Sequence, residues 1–508
     1  MRSLAQRLLA TAHAKPRAAA IIAEGVTTDY ATLAEAARRF AGALRAHGLG
    51  AGERVAIALP QGVEATAACY GSWLSGCVAV PLNPQAPARE LAAALDHAGV
   101  SALVHEAGAA AAIPAAAAMA TAPLRIAIGA DADAGSQAWR ALLESSPLHA
   151  DVAPRSALAA IFYTSGTTGR PKGVALGHDN FASNVDAVVR YLGLNAQDLT
   201  VSVLPFQYSY GASVLHTHLA VGACLAVQPN AVFPQTVLAA IARERATGLS
   251  GVASTYALLL PHLAEGGHDL SSLRYLTHAG GPLTPALLAR LRAALPGVRV
   301  FTMYGQTEAT ARLAWLPPER LDEKPGSVGQ AISEVCLQVR DAAGTTLPAG
   351  VEGEVWASGP GVMAGYWNDP LATAAVLRDG WLRTGDVGHL DEDGFLFLAG
   401  RRADIIKTGA HRVHPQEVEQ VLREFPGVAD AAVVGVDDAV LGQVVKAFVV
   451  CAPGVLPSVP ALREHCRAQM AAHKVPRHVA FVEALPRTSS GKVRRAALVA
   501  GEGLEEVR

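Results

Sequence analysis

Short apolar runs alternate along the chain with longer stretches whose apolar residues recur three and four apart. Residues 157–162 are continuously apolar and lead straight into a glycine-rich segment, which predicts a buried strand. Residues 54–59 and 77–84 read as strands, the first closed by Pro60, the second running into a turn. Between and before them, helical spacing fills 63–74 and 28–46, with Arg38, Arg39 and Arg45 solvated. Strand, helix and strand with few residues between them predict parallel α/β layering. Further helices are expected over 181–192, 232–248 and 287–294, with strands over 201–204 and 298–303. Residues 324–329 are rich in turn formers and lead into short β stretches at 334–339 and 352–357. Several short strands with Gly and Pro turns predict a small β-barrel or sheet attached to the layered core. Beyond residue 405 a compact βα pattern restarts, with helices at 415–424 and 459–471 and strands at 429–436 and 446–450.

A chain of 508 residues exceeds one ordinary core, so two or three domains are expected. With 51% hydrophobic and 17% charged residues it reads as folded and globular. A net charge of −2 argues against nucleic-acid binding driven by bulk electrostatics. The six cysteines are scattered without a Cys-x-x-Cys pair, which fits reduced thiols in a cytoplasmic protein and gives no zinc signature. Residues 1–14 read as an amphipathic helix, not a signal peptide, and no long apolar run free of charge and proline predicts a membrane span. Residues 107–122 are nearly all alanine, broken by Pro114, and read as short surface helix.

Candidate chemistry centres on Tyr163-Thr164-Ser165-Gly166-Thr167-Thr168-Gly169-Arg170-Pro171-Lys172-Gly173. Its glycines let the backbone bend close to a ligand. Successive N–H groups and hydroxyls can ring a phosphate, and Lys172 adds positive charge. The spacing is not that of the Walker loop, because five residues on from Gly166 stands Pro171 and Lys172 is followed by Gly173.

The stretch resembles the phosphate loop of the adenylate-forming superfamily: acyl-CoA synthetases such as 4-coumarate–CoA ligase, the adenylation domains of peptide synthetases, and firefly luciferase. Further motifs follow in the family's order. Phe206-Gln207-Tyr208-Ser209-Tyr210-Gly211 is similar to its acyl-pocket segment, with Tyr208 at the gating position and Tyr210 and Gly211 on the pocket wall. Amino-acid-activating members carry an aspartate where Gly211 stands, so a plain carboxylic acid is favoured. The segment 251–256 is similar to a second pocket lining, with Ser254 and Thr255; a turn with either as helix N-cap reads equally well. His278-Ala279-Gly280-Gly281-Pro282-Leu283 is similar to the adenine-side loop, and Gly281 also borders the acyl pocket. Tyr304-Gly305-Gln306-Thr307-Glu308 implies adenine stacking by Tyr304, an α-phosphate contact from Thr307 and Mg²⁺ binding by Glu308, with Thr164 as a second metal contact. In Thr384-Gly385-Asp386 the aspartate would accept from the ribose hydroxyls.

Gly400-Arg401-Arg402-Ala403-Asp404 resembles the superfamily's hinge, with Arg401 on the ribose side and Ala403 at the pivot, where the family usually has Asp or Lys. Lys407, Gly409, Ala410, His411 and Arg412 match the channel for the incoming thiol, with alanine at 410 where the family usually has glycine. Pro486-x-Thr488-x-x-Gly491-Lys492 matches the terminal motif and makes Lys492 the mobile catalytic lysine, alongside Glu308 and Thr164.

The resemblance implies a large N-terminal domain over 1–400 of layered α/β sheets plus a β-barrel, a hinge at 401–404 and a small mobile α+β lid over 405–508. It also implies ATP-dependent activation of a carboxylic acid to acyl-AMP, then transfer to the thiol of CoA. The expected cofactors are ATP, Mg²⁺ and CoA, and the expected state is a monomer or homodimer. The alternative acceptor is the phosphopantetheine of an acyl carrier protein. A non-catalytic nucleotide-binding protein is the third reading; Lys172, Glu308, Asp386 and Lys492 argue against it. Tyr208 and Tyr210 hint at a flat or medium-sized acyl group.

Overall fold

The computed structural model describes residues 3–119, 122–129, 133–148, 157–164, 172–228, 233–281, 283–408, 411–438, 441–488 and 492–502. The chain divides into two compact units. The first comprises 1–325, 329–336 and 357–382; the second comprises 326–328, 337–356 and 383–508.

Two sheets organise the first unit. In one, the strands Arg299–Tyr304, Tyr275–His278, Gly248–Gly251, Leu199–Ser202, Cys224–Val227 and Ala19–Ala23 are neighbours in that order. All of these pairs are parallel. The other runs Gly365–Tyr366, Lys172–Gly177, Leu158–Thr164, Val78–Pro81, Arg54–Ala58, Ala102–Glu106, Leu124–Ile128, Gln137–Ala138. Parallel layering is therefore correct for 54–58 and 78–81. Leu158–Thr164, however, turns back antiparallel onto Lys172–Gly177, a strand the sequence pattern did not reveal.

Helices Val63–Ser75 and Ser209–Val221 are apolar on nearly every side, and every residue from Ala65 to Ser75 is buried. A helix without a polar face must be covered all round. Here Trp73 donates its indole N–H to Ala159 O at 2.8 Å, and Tyr70 Oη lies 3.1 Å from His216 Nδ1. The helix Val63–Ser75 is thus pinned to the strand that leads into the glycine-rich segment.

Some boundaries move for local reasons. Helix Tyr30–Ala46 starts two residues later than 28 because Asp29 caps it, accepting from Thr32 N at 2.8 Å. Residues 26–29 form a strand instead. The helix expected over 232–248 spans Pro234–Glu244; Arg245 takes a left-handed conformation and Gly248–Gly251 joins the sheet.

In the second unit, His411–Val413, Ile406–Thr408, Gly442–Cys451 and Val428–Asp438 are neighbours in that order, and His478–Phe481 pairs with Gly442–Cys451. Helices Pro415–Arg423 and Val459–Gln469 cover the sheet, with Val418, Leu422, Leu462 and Cys466 in the core beside Val433, Val445 and Ala447. This is the βα pattern read from the sequence. The unit reaches further back than residue 405 because Trp381–Leu390 pairs antiparallel with Leu396–Arg401, and Arg383 and Arg402 both bond Glu354 Oε2, at 2.9 and 2.8 Å. Among the described residues no helix is long and apolar enough to cross a membrane.

Candidate functional site

Thr164 ends its strand directly opposite Lys172 in the antiparallel register. Ser165, Gly166, Thr167, Thr168 and Gly169 lie outside the described residues. The next strand over, Gly365–Tyr366, sits at the sheet edge with Tyr366 opposite Val174. That register puts Lys172 Nζ 4.9 Å from the centre of the Tyr366 ring. The Tyr366 hydroxyl in turn donates to Glu308 Oε1 at 2.8 Å. A lysine, a phenol and a carboxylate from three distant parts of the chain therefore meet. Sequence reasoning named Lys172 and Glu308 but missed the tyrosine between them.

Glu308 is held by the turn that carries it. Strand Arg299–Tyr304 ends in a buried Tyr304, and Thr307–Ala309 forms a single 3₁₀ turn. Gly305 is needed between them, since a Cβ there would lie 2.0 Å from Ala311 O. Met363 N donates to Glu308 O at 2.9 Å, and Ser209 Oγ lies 3.2 Å from Thr307 Oγ1. Gln306 Nε2 and both ring nitrogens of His278 are buried without a hydrogen-bond partner among the described residues. Each such group costs about 1–3 kcal/mol, so both mark places suited to a polar ligand. Burial lowers the His278 imidazole to about 4, which keeps it neutral. Gly280 (φ +90°) and Gly281 are exposed, and no atom lies within 4 Å of a Cβ built on Gly281.

The expected acyl segment is the start of a helix. Tyr208 stands at the N-cap of Ser209–Val221 and is half-buried. Tyr210 Oη lies 2.8 Å from Thr277 O and 2.9 Å from Thr277 Oγ1. Burial pushes its phenol up to about 12, against the opposing charge of Arg312. Gly211 is buried, and a Cβ on it would lie 2.1 Å from Pro205 O and 2.7 Å from Leu204 O. Backbone packing alone therefore demands glycine, and the missing aspartate carries less information about the substrate than the sequence suggests. Ser254 and Thr255 are not N-caps, because helix Ala253–Glu265 starts from Val252 and Thr255 Oγ1 accepts from Val252 N at 3.3 Å. Thr255 is buried and Ser254 exposed. Phe206 and Gln207 line an apolar cavity with Trp73, Leu215 and His216. By helical spacing this lies on the face of Ser209–Val221 opposite Tyr210.

Arg312 was not singled out from the sequence, although one cation within Ala311-Arg312-Leu313-Ala314 is a signal. It is only 3% exposed. Its Cζ lies 4.1 Å from the Tyr210 ring centre, its Nε 3.4 Å from Met303 Sδ and its Nη1 3.4 Å from Ala311 O. Among the described residues no carboxylate pairs with it. A desolvated cation–π contact contributes about 2 kcal/mol, whereas burying an ion costs several. The ring alone does not balance the charge.

In the second unit, Asp386 and Arg401 face each other in strand register, with Arg401 Nε 2.9 Å from Asp386 Oδ1. Asp386 is buried and Arg401 exposed. Ala403 is the exposed centre of the turn Arg402–Asp404, whose flanks are tied down by Arg402–Glu354 and by Arg495 Nη1 at 3.3 Å from Asp404 Oδ2. Lys407 pairs with Arg412 and Thr408 with His411 in a short antiparallel ladder. The His411 ring stacks on His473 at 4.0 Å. Gly409 and Ala410 lie outside the described residues. Lys492 is exposed beside a bridge between Arg487 and Val493; Thr488 N donates to its carbonyl at 2.7 Å and its own N–H to Thr488 Oγ1 at 3.1 Å.

Residues 8–367 match the family described as AMP-binding enzyme, and residues 417–492 match the AMP-binding enzyme C-terminal domain. The chain is 34% identical over 482 residues to a feruloyl-CoA synthase of an Amycolatopsis species, covering 95% of each. It is 33% identical to the fatty acid–[acyl-carrier-protein] ligase ScoC of Streptomyces coeruleorubidus, covering 98% of this chain and 96% of that one. Its structure is similar to the o-succinylbenzoate CoA synthetase MenE of Bacillus subtilis in complex with an acyl-adenylate intermediate, with TM-score 0.86, 30% identity and 97% of each chain covered.

Proposed function

Because the chain belongs to the AMP-binding enzyme family, we propose that it is an AMP-forming acid–thiol ligase. An oxygen of the acid's carboxylate attacks the α-phosphorus of ATP, the bond to the β-phosphate oxygen breaks, and acyl-AMP and pyrophosphate result. The sulfur of CoA then attacks the acyl carbon, and AMP leaves with the former carboxylate oxygen.

The observation that carries this reading is the Lys172–Tyr366–Glu308 assembly beside the end of the Leu158–Thr164 strand. Lys172 supplies positive charge where a triphosphate is bound, with Thr164 and the residues after it as donors. Glu308 suits Mg²⁺: it is a hard carboxylate oriented by Tyr366, and its Oε2 bonds no described residue. Glu308, with Thr164 beside the phosphates, would hold the ion, which when bound neutralises phosphate charge. Tyr304 stacks on adenine between Gly305 and the Gly280–Gly281 backbone, and Gln306 and Thr307 complete the nucleotide side. Asp386, kept in place by Arg401, accepts from the ribose hydroxyls.

Lys492 contributes a positive charge to the phosphoryl oxygens as negative charge grows there in the transition state. Residues 405–508 act as a lid that turns at 401–404 about Ala403, so that Lys407, Gly409, Ala410, His411 and Arg412 serve the thiol in the second half-reaction. Tyr208, Tyr210, Gly211, Ser254, Thr255 and Gly281 border the acid. We place the protein in the cytoplasm, as a monomer or homodimer.

Incubation with Mg·ATP, a panel of acids and CoA tests this. Equal amounts of AMP and acyl-CoA with at least one acid are expected; ADP formation, or no AMP with any acid, contradicts it. The likeness to ScoC favours a second reading, in which a carrier protein's phosphopantetheine replaces CoA. Acyl transfer to a holo-carrier but not to CoA would establish it.

A further inference from the structure

Within the proposed activation of an acid, we infer that Arg312 recognises a second carboxylate at the far end of the substrate, so that the enzyme takes dicarboxylic acids and activates one end. Several observations support this. The guanidinium is buried, and among the described residues it has no anionic partner. Its contacts are a thioether, one carbonyl at 3.4 Å, the Tyr191 hydroxyl and an aromatic face, none of them an anion.

It stacks on Tyr210, the residue that the acyl-pocket segment contributes from the start of Ser209–Val221. It also lies against Met303, one residue before Tyr304 and on the same sheet face as Thr277 and Phe301. A planar guanidinium stacked on a ring matches a carboxylate through two parallel N–H···O bonds. Met303, Tyr210 and Tyr191, which it touches, belong to an apolar cluster with Val188, Leu192, Phe301 and Trp315. An uncharged acyl tail beside Arg312 would leave the charge unbalanced.

The test uses the full-length enzyme and acid-dependent pyrophosphate release with Mg·ATP. Straight-chain and aromatic acids are compared as matched pairs, each monoacid against the diacid of the same carbon number. For the best pair, kcat/KM for the diacid is expected to exceed that of the monoacid by about 100-fold or more, since a site built for a polar group rejects the analogue lacking it. Arg312→Met should lower diacid kcat/KM by a similar factor and leave the monoacid within about threefold.

Without any acid, Arg312→Met should melt no lower than the wild type, because removing an uncompensated buried charge costs nothing. Monoacids used as well as diacids would overturn the inference and leave the activation chemistry standing. Equal loss with both acids in Arg312→Met would put Arg312 on the reacting carboxylate and also overturn it. A marked drop in melting temperature would make the arginine structural and overturn it. Silence with every acid would bring down the ligase reading together with this one.

Discussion

Tyr366 donates its hydroxyl hydrogen to Glu308 Oε1 across 2.8 Å, although 58 residues separate the two in the chain. A hydrogen bond to a carboxylate contributes roughly 1.5–3 kcal/mol. Tyr366→Phe should therefore slow acid-dependent ATP–pyrophosphate exchange by about 10–100-fold and raise the Mg²⁺ concentration for half-maximal rate. An unchanged Mg²⁺ titration would remove Tyr366 from the site.

Gly211 leaves no room for any side chain. Gly211→Ala should destabilise the protein by about 1–3 kcal/mol, the usual range for overpacking, read as a lower melting temperature. Gly211→Asp should do the same and should not create activation of α-amino acids. A stable aspartate variant that activates an amino acid would show that the Leu204–Pro205 backbone yields and that the glycine reflects substrate choice.

The local signals read well and the long-range ones did not. The apolar run before Thr164 is a strand, and the strand that ends at Tyr304 delivers Glu308 because periodicity and turn residues act over a few positions. The strand Lys172–Gly177 was hidden because its pairing partner, not its own alternation, defines it. Tyr366 was given no site role from the sequence, since nothing in its neighbours encodes the register that sets it by Lys172 and Glu308. Gly211 was legible as a motif position and illegible as a steric necessity, because the carbonyls that exclude a side chain belong to Leu204 and Pro205 folding back on it. The stacking of His411 on His473 depends likewise on packing between segments far apart in sequence.

Burial lowers His178, His218 and His278 to about 4 and His216 to about 3, from an ordinary 6.5. Above pH 6.5 neither the folded nor the unfolded state protonates these rings. Between 6.5 and about 4 only the unfolded chain takes the protons, so stability falls as pH falls through that window. Each imidazole adds up to about 1.4 kcal/mol per pH unit to the slope. Proton uptake on unfolding at pH 5 should therefore drop by about one in His216→Phe. No change in uptake would mean the ring is protonated in the folded protein.

Asp386 is buried beside Arg401, with one carboxylate oxygen 2.9 Å from the guanidinium. Asp386→Asn should raise the KM for ATP by about tenfold or more, as expected for losing a charged acceptor, with a smaller effect on kcat. A normal KM for ATP would separate this pair from ribose binding.

The central claim is that Lys492 serves the first half-reaction and not the second. The direct measurement takes Lys492→Ala through both halves: acid-dependent ATP–pyrophosphate exchange, and thioester formation from supplied acyl-AMP and CoA. Exchange is expected to fall by roughly 10²-fold or more while transfer from the adenylate stays within a few-fold of wild type. Normal exchange in this variant, or equal loss in both halves, would contradict it.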